Sequence, residues 1–329
     1  MVAITIGPEP DPTLEAADRA LEAEENAQPP RPYLGMSALG GACERRLWYG
    51  FRHVNRAPFP AASLRLFRDG HRSEDLQAED LRRVPGVELA TVDPATGEQW
   101  AVVAGDGHIK GHLDGIIKGI LQAPNTVHVW EHKATNEAKF GKLEALKAKL
   151  GEKNALRVWN PVYYAQAVLY MHCTGLKRHY MTVSTPGVRR STSVRTEADP
   201  LTAAALLDKG ERIVNAPAPP PRISEDPSAF ECRYCDFRAV CRREADPGRN
   251  CRTCRRSAPD AGGAWVCQSG DALAVELTVE AQRQGCGRHA YIPALVPGTP
   301  IAKDADGDWI SYRLPDGSIW TDAPDPSAA

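Results

Sequence analysis

Three side chains in one short stretch of sequence can do chemistry together. Residues 126–133 read Thr-Val-His-Val-Trp-Glu-His-Lys and alternate as a strand does, so Glu131 and Lys133 point to one face. Asp114 lies 17 residues before Glu131, in Gly111-His112-Leu113-Asp114-Gly115. A hairpin turning over Gln122 to Asn125 brings Asp114, Glu131 and Lys133 together. Two carboxylates facing one hollow repel each other unless a cation sits between them. Hard oxygen ligands suit Mg²⁺ or Mn²⁺. Such an ion activates water, and a neighbouring lysine orients that water and offsets charge developing on a phosphate. The set is sufficient for phosphodiester hydrolysis. Taken alone, the short pattern describes a salt-bridged hairpin face equally well.

Two more features bear on the choice. Gln166 and Tyr170 are spaced i,i+4 on a helix expected over residues 162–172, opened by Asn160 as cap and Pro161 at the first helical position. Upstream, Gly70-His71-Arg72-Ser73-Glu74 adds a carboxylate from a helix expected over 63–83, with Leu64, Phe67, His71 and Leu76 as its apolar side. In this order the residues resemble the RecB-like branch of the PD-(D/E)XK nuclease superfamily. Its motifs are a helical Gly-x-x-x-His or Glu, an Asp, a Glu-x-Lys and a Gln-x-x-x-Tyr. The resemblance implies a restriction-endonuclease-like α/β core, a mixed central sheet flanked by helices. It implies Asp114 and Glu131 as metal ligands, Lys133 as the catalytic lysine, and Gln166 and Tyr170 as supports near DNA. Glu74 falls where many members carry His; Glu at that place is more like the phage lambda-type exonucleases, and His71 lies nearly one turn off.

Seven of the nine cysteines fall between Cys232 and Cys286, in two groups. The odd count and the clustering speak against a disulfide framework and for metal. Cys232, Cys235 and Cys241 leave a tetrahedral site or a cuboidal cluster one ligand short, and Cys43 can supply it. The combination resembles the iron–sulfur nucleases of the RecB-like group, including the CRISPR-associated exonucleases, which implies a [4Fe–4S] cluster on those four. Spacing alone leaves zinc open. Cys251, Cys254, Cys267, Cys286 and His289 form a second group of Zn²⁺-ligand type, five candidates for four places, with Cys267 and His289 competing. Cys173 is left over as a packing thiol.

Around these motifs the 329 residues divide as follows. Residues 1–30 are a flexible acidic leader with a short helix over 14–25, and 31–215 are the nuclease core. Residues 216–245 begin with the stiff run APAPPP and carry the first cysteine group. Residues 246–300 are a small cysteine-rich metal module, and 301–329 hold a hairpin around Pro315-Asp316-Gly317. Asp304, Asp306 and Asp308 form a polar turn rather than a calcium loop. The formal net charge of −2 excludes a globally basic coat. Eight arginines against four acidic residues in 231–257, and Arg45, Arg46, Arg52, Arg65, Arg68 and Arg72, still give two local basic zones for DNA. No signal peptide or membrane span is expected, so the place is the cytoplasm, that of a host if the chain is phage-encoded. The combined reading is a metal-dependent DNA exonuclease acting at ends in recombination, repair or replication, with a recombination or single-strand-binding protein as a further partner. A structure-specific endonuclease and an inactive DNA- or protein-binding module are the alternatives.

Overall fold

The computed structural model of the chain describes residues 11–269, 274–305 and 308–324. It begins with α1 (Pro12–Asn26), β1 (Leu34–Gly35), α2 (Glu44–Phe51) and α3 (Ala61–Arg82). Strands β2 (Glu88–Ala90), β3 (Ala101–Ala104), β4 (Ile109–His112), β5 (Gly115–Lys118) and β6 (His128–Ala134) come next. Then follow α4 (Glu137–Leu150), α5 (Glu152–Trp159), α6 (Pro161–Thr174), β7 (Arg178–Ser184), β8 (Ser191–Glu197) and α7 (Pro200–Asn215). The rest is short: α8 (Phe230–Arg233), α9 (Arg238–Cys241), β9 (Ser257–Pro259), β10 (Trp265–Cys267), β11 (Val275–Glu276), α10 (Val279–Gln284), β12 (Thr299–Lys303), β13 (Ile310–Arg313) and β14 (Ile319–Asp322).

The main sheet is mixed, in the order β2-β5-β6-β7-β8. β5 and β6 form the expected antiparallel hairpin, with Gly115 opposite Trp130. β6 and β7 run parallel, so the chain must cross back over the sheet between them, and α4, α5 and α6 make that crossing. Asn160 starts α6 as anticipated: its side chain accepts from the amides of Val162 and Tyr163, with Pro161 in the first turn. On one face of the sheet Met181, Val183 and Val194 pack under Phe140, Leu143, Leu156 and Ala167. On the other, Ile117, Trp130 and Tyr180 meet Ala78 of α3. A second sheet, β1-β4-β3, lies against α6, and its close approach is set by Gly111. A Cβ on Gly111 would sit 2.4 Å from Tyr170 Cε1 and about 3 Å from Met36.

The C-terminal segments are not an appendage. Trp265, Ile292 and Leu295 belong to the same apolar core as Trp48, Phe51 and Ile109. Arg52 and Arg252 are buried there, at 3% and 1% exposure, with guanidinium carbons 4.9 and 4.5 Å from the Trp265 ring centroid. Arg252 donates to the carbonyls of Phe51 and Pro32 and to Gln282 Oε1, each at 2.8 Å. Arg52 reaches the carbonyls of Ala216, Arg252 and Ser257. Neither arginine can serve as a DNA-facing charge, which corrects that expectation for both.

Other expectations change as well. The sequence around Ser37 offers a helix cap, but α2 begins only at Glu44, and the Cys43 sulfur accepts the Arg46 amide as its cap. The buried side of α3 is Ala61, Leu64, Ser73, Gln77 and Ala78, while Phe67 and Leu76 are nearly half exposed. The leader's helix is longer than expected and is attached: Asn26 bonds the backbone of Phe59, Glu22 accepts the Ala61 amide, and Asp18 pairs with Arg65. No expected element corresponds to α4 and α5. The C-terminal hairpin gains a third strand, β12. Asp304 accepts the Trp309 amide and Asp308 pairs with Arg256, and Asp306 falls outside the described residues. Among the described residues no helix is long and apolar enough to cross a membrane. Gly111→Ala is expected to push Tyr170 off β4 and to cost about 1–3 kcal/mol by overpacking, as read from urea unfolding. An unchanged midpoint would contradict this contact.

Candidate active site

The site forms where β4 ends, β5 begins and β6 passes beneath α6. Alternation along β6 turns Glu131 and Lys133 toward α6 and turns Trp130 and His132 toward α3 and the neighbouring strand. Asp114 lies in the two-residue break between β4 and β5. Its Oδ2 accepts the His132 amide at 2.8 Å, which ties the break to the centre of the sheet. The His132 ring is held by the hydroxyls of Thr182 and Ser184 across β7, so this histidine is a packed, neutral group. Burial, then the Lys133 charge, push it down to about 4.

Glu131 is the centre. It is 1% exposed, and its Oε1 accepts both from Lys133 Nζ and from Gln166 Nε2, the latter at 2.8 Å. Gln166 also donates to the Tyr170 hydroxyl at 3.1 Å, which donates to the His112 carbonyl at 2.8 Å. The i,i+4 pair on α6 therefore fixes the carboxylate and closes onto the end of β4. Glu131 Oε2 has no hydrogen-bond partner although it is buried. An orphaned carboxylate oxygen beside a second buried carboxylate is the chemistry that a hard cation satisfies, so these residues fit Mg²⁺ or Mn²⁺. Among the described residues no three His, Cys, Asp or Glu side chains are already arranged as a metal cage.

Electrostatics support that fit. Burial, then Asp114, raise Glu131 to about 8, with Lys133 opposing. Burial, then Asp114, raise Glu74 to about 7, so α3 brings this carboxyl within electrostatic reach of the same hollow. Asp114 is raised by burial against the pull of Lys133, the His132 amide and His71. Burial alone would lower the Lys133 ammonium, but Glu131 and Asp114 outweigh it and hold it well above its ordinary range. Three carboxyls share one lysine, and without a further cation the protons they retain replace the missing positive charge. Two neighbours were not assigned this role from sequence. His71 acts on Asp114, and the Tyr163 ring centroid lies 5.6 Å from Lys133 Nζ. Tyr163 is three residues before Gln166, so helical spacing was the available signal.

The cysteines fall into two places. Cys43, Cys232, Cys235 and Cys241 line one cavity of about 20 Å³, with Arg45, Arg46, Arg222, Arg238 and Arg242 around it. Four thiols ringed by guanidinium groups match the negative charge that a thiolate-bound centre carries. In the second group Cys251 is raised to about 11 by burial and then by the thiols of Cys286, Cys254 and Cys267. His289 is engaged elsewhere: its Nε2 lies 3.2 Å from the Thr253 hydroxyl. Cys173 packs against the main core.

A pH dependence follows from these shifts. Carboxyls whose folded pKa lies near 7–8 and whose unfolded value is near 4.5 bind more protons when folded, so stability falls as pH rises through that interval. Buried neutral His132, His179 and His289 act in the opposite sense, and only below about 6.5. Above pH 7 the histidines no longer contribute, and the Glu131→Gln comparison separates the carboxyl contribution from that of buried thiols such as Cys251, which acts in the same sense. In EDTA the thermal midpoint is expected to drop between pH 7 and 8.5, at up to about 1.4 kcal/mol per pH unit for each retained proton. Glu131→Gln should flatten the drop, and Mg²⁺ should raise the midpoint more at the higher pH. A flat profile for the unaltered chain in EDTA would contradict the shared-proton arrangement.

No family model matches the chain, and no curated protein matches it. Several solved structures do. The protein SSO0001 is 16% identical, with 70% of this chain and 95% of that one covered, at a TM-score of 0.39. An alkaline exonuclease from Laribacter hongkongensis is 15% identical, covering 59% of this chain and 90% of its own, at 0.36. A phage-related exonuclease from Haemophilus somnus 129PT is 11% identical, covering 45% and 70%, at 0.32. The functional assignment rests on the geometry of the site itself.

Proposed function

We propose that the chain is a divalent-metal-dependent nuclease that hydrolyses phosphodiester bonds of DNA, working from ends as an exonuclease. The observation that carries this reading is the buried Asp114–Glu131–Lys133 set, held from behind by Gln166 and Tyr170 and joined by Glu74. Asp114, Glu131 and Glu74 are the groups that hold Mg²⁺ or Mn²⁺. The ion supplies a lowered water pKa and offsets charge on the phosphoryl oxygens. Lys133 stays protonated between the two buried carboxylates and presents its ammonium to the attacking water and the developing phosphate charge. Gln166 fixes the Glu131 carboxylate, and Tyr170 anchors Gln166 to the β4 end, so the carboxylate loses no time in other rotamers.

Two supports lie outside the reacting groups. Arg68 and Arg72 are exposed on α3, on the helix that carries Glu74, and give a phosphate backbone a positive approach. The four cysteines Cys43, Cys232, Cys235 and Cys241 hold a [4Fe–4S] cluster that links α2 to the chain beyond α7, across nearly 190 residues.

The test is degradation of labelled linear DNA in Mg²⁺. Lys133→Ala and Asp114→Asn are each expected to reduce the rate at least 10²-fold while the circular dichroism spectrum is retained, and EDTA should abolish cleavage. Linear substrate should be consumed and closed circular DNA spared. Full activity in either variant would remove the mechanism, and equal cleavage of circles would remove the exonuclease assignment.

A further inference from the structure

Four cysteines outside the proposed active site come together from three separate segments. Cys251 and Cys254 bracket one tight turn, Cys267 ends β10, and Cys286 follows α10. Cys251 and Cys254 are buried, at 7% and 6% exposure. The three segments meet: Cys267 pairs across β9–β10 with Ser257, three residues past Cys254, the Cys251 sulfur donates to the Ala281 carbonyl of α10 at 3.4 Å, and the Arg249 side chain donates to the Cys286 carbonyl at 3.2 Å. A backbone amide approaches the Cys254 sulfur: the Ala290 N–H donates to it at 3.5 Å. An amide donated to a sulfur stabilises its metal-bound thiolate form.

The competing ligand is already engaged. The His289 ring is held by the Thr253 hydroxyl and packs edge-on against Tyr291 at 4.4 Å between centroids. It is 3% exposed.

We propose that Cys251, Cys254, Cys267 and Cys286 bind one zinc ion as a tetrathiolate site, with His289 outside the coordination shell. Soft ligands and a Cys-x-x-Cys turn select Zn²⁺ over the hard cations suited to the carboxylates. Binding replaces four S–H bonds with four Zn–S bonds and releases up to four protons to solvent. The ion has a mechanical consequence. Arg252 sits inside the Cys251–Cys254 turn and is the residue that reaches Phe51 and Pro32 in the core. Fixing the turn fixes the arginine, so the zinc site anchors the C-terminal segments to the rest of the chain.

The experiment is elemental analysis of the purified full chain and its variants. About one zinc per chain is expected, retained in His289→Gln and Cys232→Ser and lost in Cys251→Ser and Cys286→Ser. Stripping zinc should lower the thermal midpoint of the unaltered chain. A chain without zinc overturns the proposal, as does zinc that survives Cys251→Ser or disappears in His289→Gln. Should the serine variants fail to fold, Co²⁺ replaces zinc in the unaltered chain. Thiolate-to-cobalt absorption of four sulfurs supports the site, and absorption of three or fewer overturns it.

Discussion

Burying Glu131 beside Asp114 sets the terms for everything near the site. A carboxylate removed from water on the middle strand of a sheet is costly, and single interactions do not repay it. Lys133 supplies charge from the same strand face, and Gln166 supplies a hydrogen bond from the helix above. Tyr170 then holds Gln166, and Gly111 leaves the room that lets α6 descend far enough. The parallel β6–β7 pairing has its place in the same logic. It forces a helical return over the sheet, and that return delivers α6 onto the carboxylate.

Local signals were legible where one residue type had one physical meaning. Asn160-Pro161 marked a helix start, and alternation through 126–133 marked a strand whose face carries Glu131 and Lys133. The i,i+4 spacing placed Gln166 and Tyr170 on one side, where the structure has them bonded to each other. What the sequence hid depends on tertiary context. Residues 137–150 are rich in lysine and bury only Phe140 and Leu143, so little periodicity betrays α4. Phe67 and Leu76 read as a core face of α3, but that helix packs through Ser73, Gln77 and Ala78, small or polar residues that no apolar pattern marks. Arg52 and Arg252 look like surface charge because arginine is seldom buried, and nothing local announces that backbone carbonyls will receive them. Tyr163 escaped for a related reason: aromatic residues on a helix are ordinarily core, and its contact is with an ammonium from another element.

The two arginines also rearrange the meaning of the near-neutral charge. Part of the positive charge in the cysteine-rich region is spent inside the molecule, and another part rings the first cysteine cavity. The arginines available to a polyanion are correspondingly fewer and more localised than the count implies, with Arg68 and Arg72 on the α3 surface among them.

The bonds of Arg252 to Phe51 and Pro32 span 201 and 220 residues of sequence. A growing chain reaches Trp48 and Phe51 early and completes the sheet bearing Glu131 well before residue 252 exists. Until then the carbonyls and aromatic faces that receive Arg252 and Trp265 have only water for company. Contacts of such long separation are slow to close and come late in folding. During synthesis, therefore, the buried carboxylates and their lysine are assembled on a scaffold whose amino-terminal wall is still open, and about the last quarter of the chain shuts it.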